Sequence, residues 1–387
     1  MKGMFALGLL ISANAGCGSG SGGLQDGSVD AGYDGGDTQC LGKNDFTPCV
    51  LPGAQYKYNI CLAEACRMPG CGDLSCNPPG PNFKLPPTIN PGVNYTKTVP
   101  AAGQPVVSDS VTGLVWQGCV AGLSGDSCDL GAAATMNWKD ALAYCNSLDW
   151  GGFKDWRLPN RDELISIVDF GVKNPSIDTT NFPKVITDKF WTLSTYQLDV
   201  GLRAWYVEFA NGEARGELKD NMYYARCARG GPGPIQAMAL AVLTPRFSRS
   251  FPGPADQPMV KDNVTGLVWQ GCIAGLSGSD CGTGTALAQQ WTGTKSYCEN
   301  LDWSGASTGW RLPEVKELAS ITDSSRSYPM ALDMTVFPNT HGWYTWTITP
   351  AIYGTLNKWT VSMYFGDVEY HSFQMTNYNF RCVRSGS

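Results

Sequence analysis

Apolar and polar positions in this chain fall into two closely matching series, over 94–230 and 247–387. In the first, Val106, Val107, Val111 and the LVW run at 114–116 predict an opening strand pair that turns at Thr112-Gly113. A helix is predicted over 137–148, where Trp138, Ala141, Leu142, Cys145 and Leu148 recur at the spacing of one helical face. Asn137 stands at its N-cap with Asp140 three residues on, a capping box with a shorter acid. A second helix is expected after Pro159, with Leu164, Ile167 and Val168 on one face. The period then drops to two. Trp205, Val207 and Phe209 alternate with Tyr206 and Glu208, and Asn211-Gly212 is a strong hairpin signal. The second series repeats this with Trp359, Val361, Met363 and Phe365, turning at Gly366-Asp367. Each series is expected to end on a strand carrying an Arg-Cys pair, Arg226-Cys227 and Arg381-Cys382.

The match extends to the letters. TGLVWQGC at 112–119 returns unchanged at 265–272, and WRLP at 156–159 returns at 310–313. Cys119, Cys128, Cys145 and Cys227 are spaced by 9, 17 and 82 positions; Cys272, Cys281, Cys298 and Cys382 by 9, 17 and 84. The chain is a tandem repeat, and the domain organisation follows from it.

Outside the repeats the pattern is different. In 1–17, Lys2 precedes an apolar run from Met4 to Ala13 and the small pair Ala15-Gly16, the layout of an export signal too short to span a bilayer. The cysteine that follows resembles a bacterial lipoprotein cleavage site, with Cys17 as the lipid attachment point; Asn14 departs from it where leucine is usual. Gly18 in place of an aspartate favours the outer membrane by the same resemblance, with a secreted or periplasmic protein as the alternative. The 18–39 stretch is glycine, serine and aspartate, and reads as a flexible tether. Its aspartates Asp26, Asp30, Asp34 and Asp37 do not have the alternate-residue spacing of a calcium loop. Six cysteines crowd into 40–76, a module too short to be held by burial alone; three disulfides are expected there, and a zinc site is disfavoured outside the cytoplasm. A proline-rich spacer (78–93) and an inter-repeat linker (231–246) complete the chain; the linker's apolar run at 235–243 is far short of a membrane span.

Composition narrows the function. A net charge of −6 and a pI near 5.0 argue against nucleic acid and against polybasic attachment to headgroups. Of 15 cysteines only Cys17 is unmatched by an even group, as in an exported disulfide-bonded protein. The two histidines, His341 and His371, both lie in the second repeat, so no histidine-based catalytic site is common to both. Thirteen tryptophans exceed what a core needs, so some are expected at the surface for binding.

The string VTGLVWQ, a helix with a cysteine, WRLPxxxEL, and an aromatic stretch closing on Arg-Cys together resemble the C-terminal domain of bacterial Lcl (collagen-like) adhesins. The resemblance covers both repeats. It implies an α+β, C-type-lectin-like fold in each, two helices flanking small antiparallel sheets, preceded here by the disulfide-rich module. It also implies that Cys145 pairs with Cys227 and Cys298 with Cys382, leaving Cys119 with Cys128 and Cys272 with Cys281 to close short loops. The calcium-binding strings of sugar-binding C-type lectins are absent from both repeats, so no metal or other cofactor is implied.

Glu163 and Glu317, matched after WRLP, could be paired acids, but Glu163 sits three residues after the cap Asn160 and reads as part of a capping box. In the second repeat Glu314 holds the cap position, so half of that device is expected to survive. Arg157, Arg311, Arg226 and Arg381 are expected to tie strands together. Binding candidates lie in the aromatic-polar stretch between second helix and last strand: Trp191, Tyr196, Arg203, Tyr206, Glu208, Arg215 and Asp220 in the first repeat, and Trp343, Tyr344, Trp346, Tyr364, Asp367, His371 and Asn377 in the second. Aromatic faces with polar neighbours suit sugars. The expectation is a non-enzymatic surface lipoprotein whose two lectin-like domains bind a polysaccharide, a matrix component or a partner protein. A structural envelope protein is the alternative. An enzyme akin to the formylglycine-generating enzymes is disfavoured because no extra thiol remains in either repeat.

Overall fold

The computed structural model describes residues 88, 90–196, 202–230, 246–323, 330–374 and 376–386, with the backbone of three short strands before them. Those strands, β1 (Pro48–Cys49), β2 (Asn59–Leu62) and β3 (Ala65–Arg67), form an antiparallel sheet in that order. The export signal, Cys17, the 18–39 tether, the disulfides of the 40–76 module and the 231–245 linker lie outside the described residues.

In the first repeat, β4 (Tyr95–Ala101), β5 (Gln104–Asp109) and β6 (Leu114–Gln117) form an antiparallel sheet, closed by β12 (Ala228–Gly230) pairing with β6. The second repeat builds the same sheet from β13 (Phe247–Ser250), β14 (Met259–Asp262), β15 (Leu267–Gln270) and β21 (Val383–Ser385). The last cysteines, Cys227 and Cys382, stand one residue before these closing strands rather than within them. The small hairpins β7 (Leu123–Ser124) with β8 (Leu130–Gly131), and β16 (Leu276–Ser277) with β17 (Thr283–Gly284), sit beside the disulfides Cys119–Cys128 and Cys272–Cys281.

Among the described residues there are four α-helices: α1 (Trp138–Ser147) and α2 (Arg161–Ser166), then α3 (Trp291–Glu299) and α4 (Val315–Ser320). Asn137 caps α1 by accepting the Asp140 N–H at 2.9 Å. Asn160 and Glu163 form the expected reciprocal box, each accepting the other's backbone N–H at 2.8 Å. In α4 the Glu314 N–H donates to Glu317 at 2.7 Å, while the Glu314 carboxylate accepts the hydroxyl of Thr88. Helix α2 is shorter than its apolar pattern suggests. It ends at Ser166, whose hydroxyl turns back onto the Glu163 carbonyl, and Ile167 and Val168 are buried in the turn beyond. Long bridges join α1 and α3 to the closing strands, Cys145 with Cys227 and Cys298 with Cys382.

The third sheet joins the repeats. β9 (Lys189–Tyr196), β10 (Arg203–Glu208) and β11 (Ala214–Leu218) continue into β20 (Val368–Ser372), β19 (Asn357–Ser362) and β18 (Tyr344–Pro350) as one six-stranded sheet. The seam is a single antiparallel pairing, Ala214 opposite Val368. These two positions are equivalents: Val207 pairs with Ala214 as Val361 pairs with Val368. The repeats are therefore related by an approximate twofold axis through that pair, and the two sequence units share one core. Trp116, Trp205 and Val207 of the first pack in the same cluster as Trp269, Trp359 and Val361 of the second.

Candidate functional site

At the axis the WRLP helices meet. The Arg161 side chain is fully buried and crosses into the second repeat, where it donates to the carbonyls of Gly366 (3.1 Å), Ala319 (3.0 Å) and Thr322 (3.2 Å) and to the Thr322 hydroxyl (2.9 Å). Asp162 holds the guanidinium from behind at 2.7 Å. In return, Lys316 Nζ donates to the Ser166 carbonyl at 2.7 Å. Burial pushes the Lys316 amine down to about 7, against the opposing pull of Asp169, Asp109 and Glu314. These groups hold the repeats together, below the surface.

Above them, along the same seam, polar and aromatic groups of both repeats converge. Glu369 is the hub: its Oε2 lies 2.9 Å from the Arg215 guanidinium, 3.4 Å from the Tyr344 hydroxyl and 3.7 Å from His371 Nε2. Asp367 accepts the Tyr196 hydroxyl at 3.3 Å on one oxygen, while its other oxygen, Oδ1, is buried without a partner among the described residues. Burial and then the neighbouring Glu369 push the Asp367 carboxyl up to about 7. Burial also raises Glu369, while it lowers His371 with help from Arg215, so the imidazole is neutral at pH 7. An aromatic shelf adjoins this cluster. Trp343 is 60% exposed and stacks on Tyr364 at 5.2 Å between centroids, with Phe365 edge-on at 6.0 Å; Phe365 in turn lies 6.4 Å from Tyr196.

Of the residues predicted from sequence, Tyr196, Arg215, Trp343, Tyr344, Tyr364, Asp367 and His371 thus meet in one place. Others do not. Trp191 and Trp346 are fully buried and spend their indole N–H groups on the Met136 and Gln289 carbonyls at 3.0 and 2.9 Å, so neither offers a face to a ligand. Tyr206 is buried as well, against Tyr223 and under Lys189. The reason is that β9 and β10 are covered on both faces, one by the shared core and the other by the cluster around Cys145 and Cys227. Arg203 and Glu208 lie at opposite ends of β10, and Asp220 and Asn377 are exposed in loops. The surplus of tryptophan is likewise mostly core: eleven of the thirteen are buried, and Trp343 alone is strongly exposed.

The matched arginines and acids have structural work. Arg157 forms a two-pronged pair with Glu163, both contacts 2.7 Å, and Arg311 does the same with Glu317. Arg226 donates to the Gln117 and Gly118 carbonyls at 2.7 Å, as Arg381 does to those of Gln270 and Gly271. Sequence reasoning passed over Glu369 and Phe365. The available signal was the hairpin match, which sets Glu369 at the position equivalent to Arg215 with opposite charge.

A family model described as the Lcl C-terminal domain matches twice, at 105–229 and 258–384. The chain belongs to the Lcl C-terminal domain family. The two matched stretches coincide with the two structural repeats, so this is a tandem pair of Lcl C-terminal domains, in which small antiparallel sheets predominate and each copy carries two disulfides. A search of curated proteins returns no match. In the tandem Lcl pair the seam cluster draws on both copies, while the aromatic shelf belongs to the second; Ala210 stands in the first where Tyr364 stands in the second.

Proposed function

We propose that this tandem Lcl protein is a non-enzymatic binding protein of the cell surface, with C-type-lectin-like domains that take a saccharide at one composite seam site. The observation that carries the reading is the exposed Trp343 stacked on Tyr364, beside the carboxylates of Asp367 and Glu369. An open aromatic face packs on the C–H surface of a sugar ring, and the partly exposed Arg215 guanidinium, held by the buried Glu369, reads its hydroxyls. The non-enzymatic reading is supported by the occupied state of the obvious acids: Glu163 and Glu317 are each committed to an arginine and a helix cap. All eight cysteines of the repeats are in disulfides, which leaves no reactive thiol there. Export with a lipid anchor at Cys17, in the outer membrane, places such a site where envelope or host glycans are encountered.

The test is a glycan array probed with soluble protein lacking 1–17, with calcium and with chelator, beside Trp343→Ala. Binding that survives chelation and is lost in the variant is expected. Binding that Trp343→Ala leaves intact, or no binding to any glycan, overturns the reading.

A further inference from the structure

An approximate twofold places equivalent positions of the two repeats face to face, so each such pair would be like-on-like if a repeat met a copy of itself. The sequence avoids this at three positions near the axis, while Glu213 and Asp367, also equivalents, are both acidic. Arg215 and Glu369 are equivalents, each following the paired Ala214 or Val368, and they form a 2.9 Å ion pair with one another. Asp162 and Lys316 are equivalents, each the second residue of its WRLP helix, an acid in one repeat and a base in the other. Arg161 reaches across to the other repeat, whereas its equivalent Val315 is apolar.

From this we infer that the seam face of each repeat is a docking surface for the other repeat and is built to reject a copy of itself. Two first repeats would bring Arg215 diagonally across the axis from its own counterpart, with Glu213 of each repeat opposite the other's arginine. They would also put the acidic Asp162 in the place of the Lys316 amine that now donates to the Ser166 carbonyl at 2.7 Å. Two second repeats would bring Glu369 diagonally across the axis from its own counterpart, with Asp367 of each repeat opposite the other's glutamate, and would oppose Lys316 to Lys316. They would also leave the Ala319 and Thr322 carbonyls without the Arg161 guanidinium. The mixed pair alone combines the Arg215–Glu369 ion pair with the Lys316 and Arg161 bonds across the axis, so specificity comes as much from what the mismatched pairs lose as from the contacts of the matched one. The 231–245 linker is then not what holds the repeats together. Each repeat is closed by its own two disulfides, and none of the four joins one repeat to the other.

The full chain with a protease site inserted within 231–245 tests this. After cutting, without reduction, native mass spectrometry at micromolar concentration is expected to show one species holding one half of each kind. Glu369→Arg sets two arginines across the axis and is expected to raise the dissociation constant of the cut halves about tenfold or more. Arg215→Glu with Glu369→Arg restores an opposite pair and is expected to return it to within about threefold of the original. Separation of the unmodified halves at micromolar concentration overturns the inference. So does the appearance of like pairs, or a Glu369→Arg chain whose halves hold together as well as the parent's.

Discussion

Lys316 donates to the carbonyl of Ser166 at 2.7 Å, so a side chain of the second repeat closes the C-terminal end of the first repeat's WRLP helix. Arg161 reciprocates on Ala319 and Thr322 at the end of α4. The C-terminal carbonyls of a helix lack partners within it and sit at the negative end of its dipole, which suits donors and cations. Two helices of six residues each are too short to stand alone. Each here is finished by the other repeat.

Lys316 gives the arrangement a pH signature. Its amine is pushed from 10.5 down to about 7 by burial, so between those values the unfolded chain holds a proton that the folded chain has released. Stability therefore rises with pH across that window, by at most about 1.4 kcal/mol per unit. Lys316→Met removes this dependence. In urea melts between pH 7 and 9.5 the gap between parent and variant should shift steadily in the parent's favour; a constant gap would be inconsistent with a buried amine titrating there.

Asp367 should act with the opposite sign. Its carboxyl is raised from 3.8 to about 7, so the folded state keeps a proton that the unfolded state releases between those values. The contribution is complete below pH 4 and is lost as pH rises to 7. Asp367→Asn retains the amide oxygen for the Tyr196 hydroxyl and does not ionise. The variant is expected to be the more stable protein at pH 8 and to lose that advantage by pH 4, as measured by thermal melting.

Gly216 should tolerate no side chain. A Cβ there would lie 2.1 Å from Cγ of the Tyr196 ring, which packs over this glycine and edge-on to Trp205. Gly216→Ala must push Tyr196 aside, at a cost of about 1–3 kcal/mol, and should weaken ligand binding as well. A denaturant midpoint equal to the parent's would show that Tyr196 does not occupy this position.

The bridge between Cys145 and Cys227 closes a loop of 82 positions. By the chain-entropy relation this contributes about 4–5 kcal/mol, against about 2.5 kcal/mol for the nine-residue loop closed by Cys119 and Cys128. Replacing the first pair by serine should lower the urea midpoint clearly more than replacing the second.

The local elements were legible because their signals are local. Asn137, Asn160 and Glu163 sit where capping chemistry requires, and the Asn211-Gly212 turn joins β10 to β11 as the pattern implies. The seam was not legible. Nothing in the sequence around Ala214 or Val368 says that two sheet edges will pair, since an edge strand reads the same whether it meets water or another strand. For the same reason, Trp191 and Tyr206 had the composition of a binding surface but lie in strands covered on both faces. Tyr196 and Arg215 stand far from Asp367 and His371 in the sequence, and only the shared sheet brings them together.

Titration calorimetry of the intact chain with the strongest ligand from the glycan array distinguishes a single site made by both repeats from one site in each. One site per chain is expected, with affinity reduced at least tenfold by Trp343→Ala from the second repeat and likewise by Arg215→Ala from the first (about 1.4 kcal/mol each). Two equivalent sites per chain, or a site indifferent to Arg215, would contradict it.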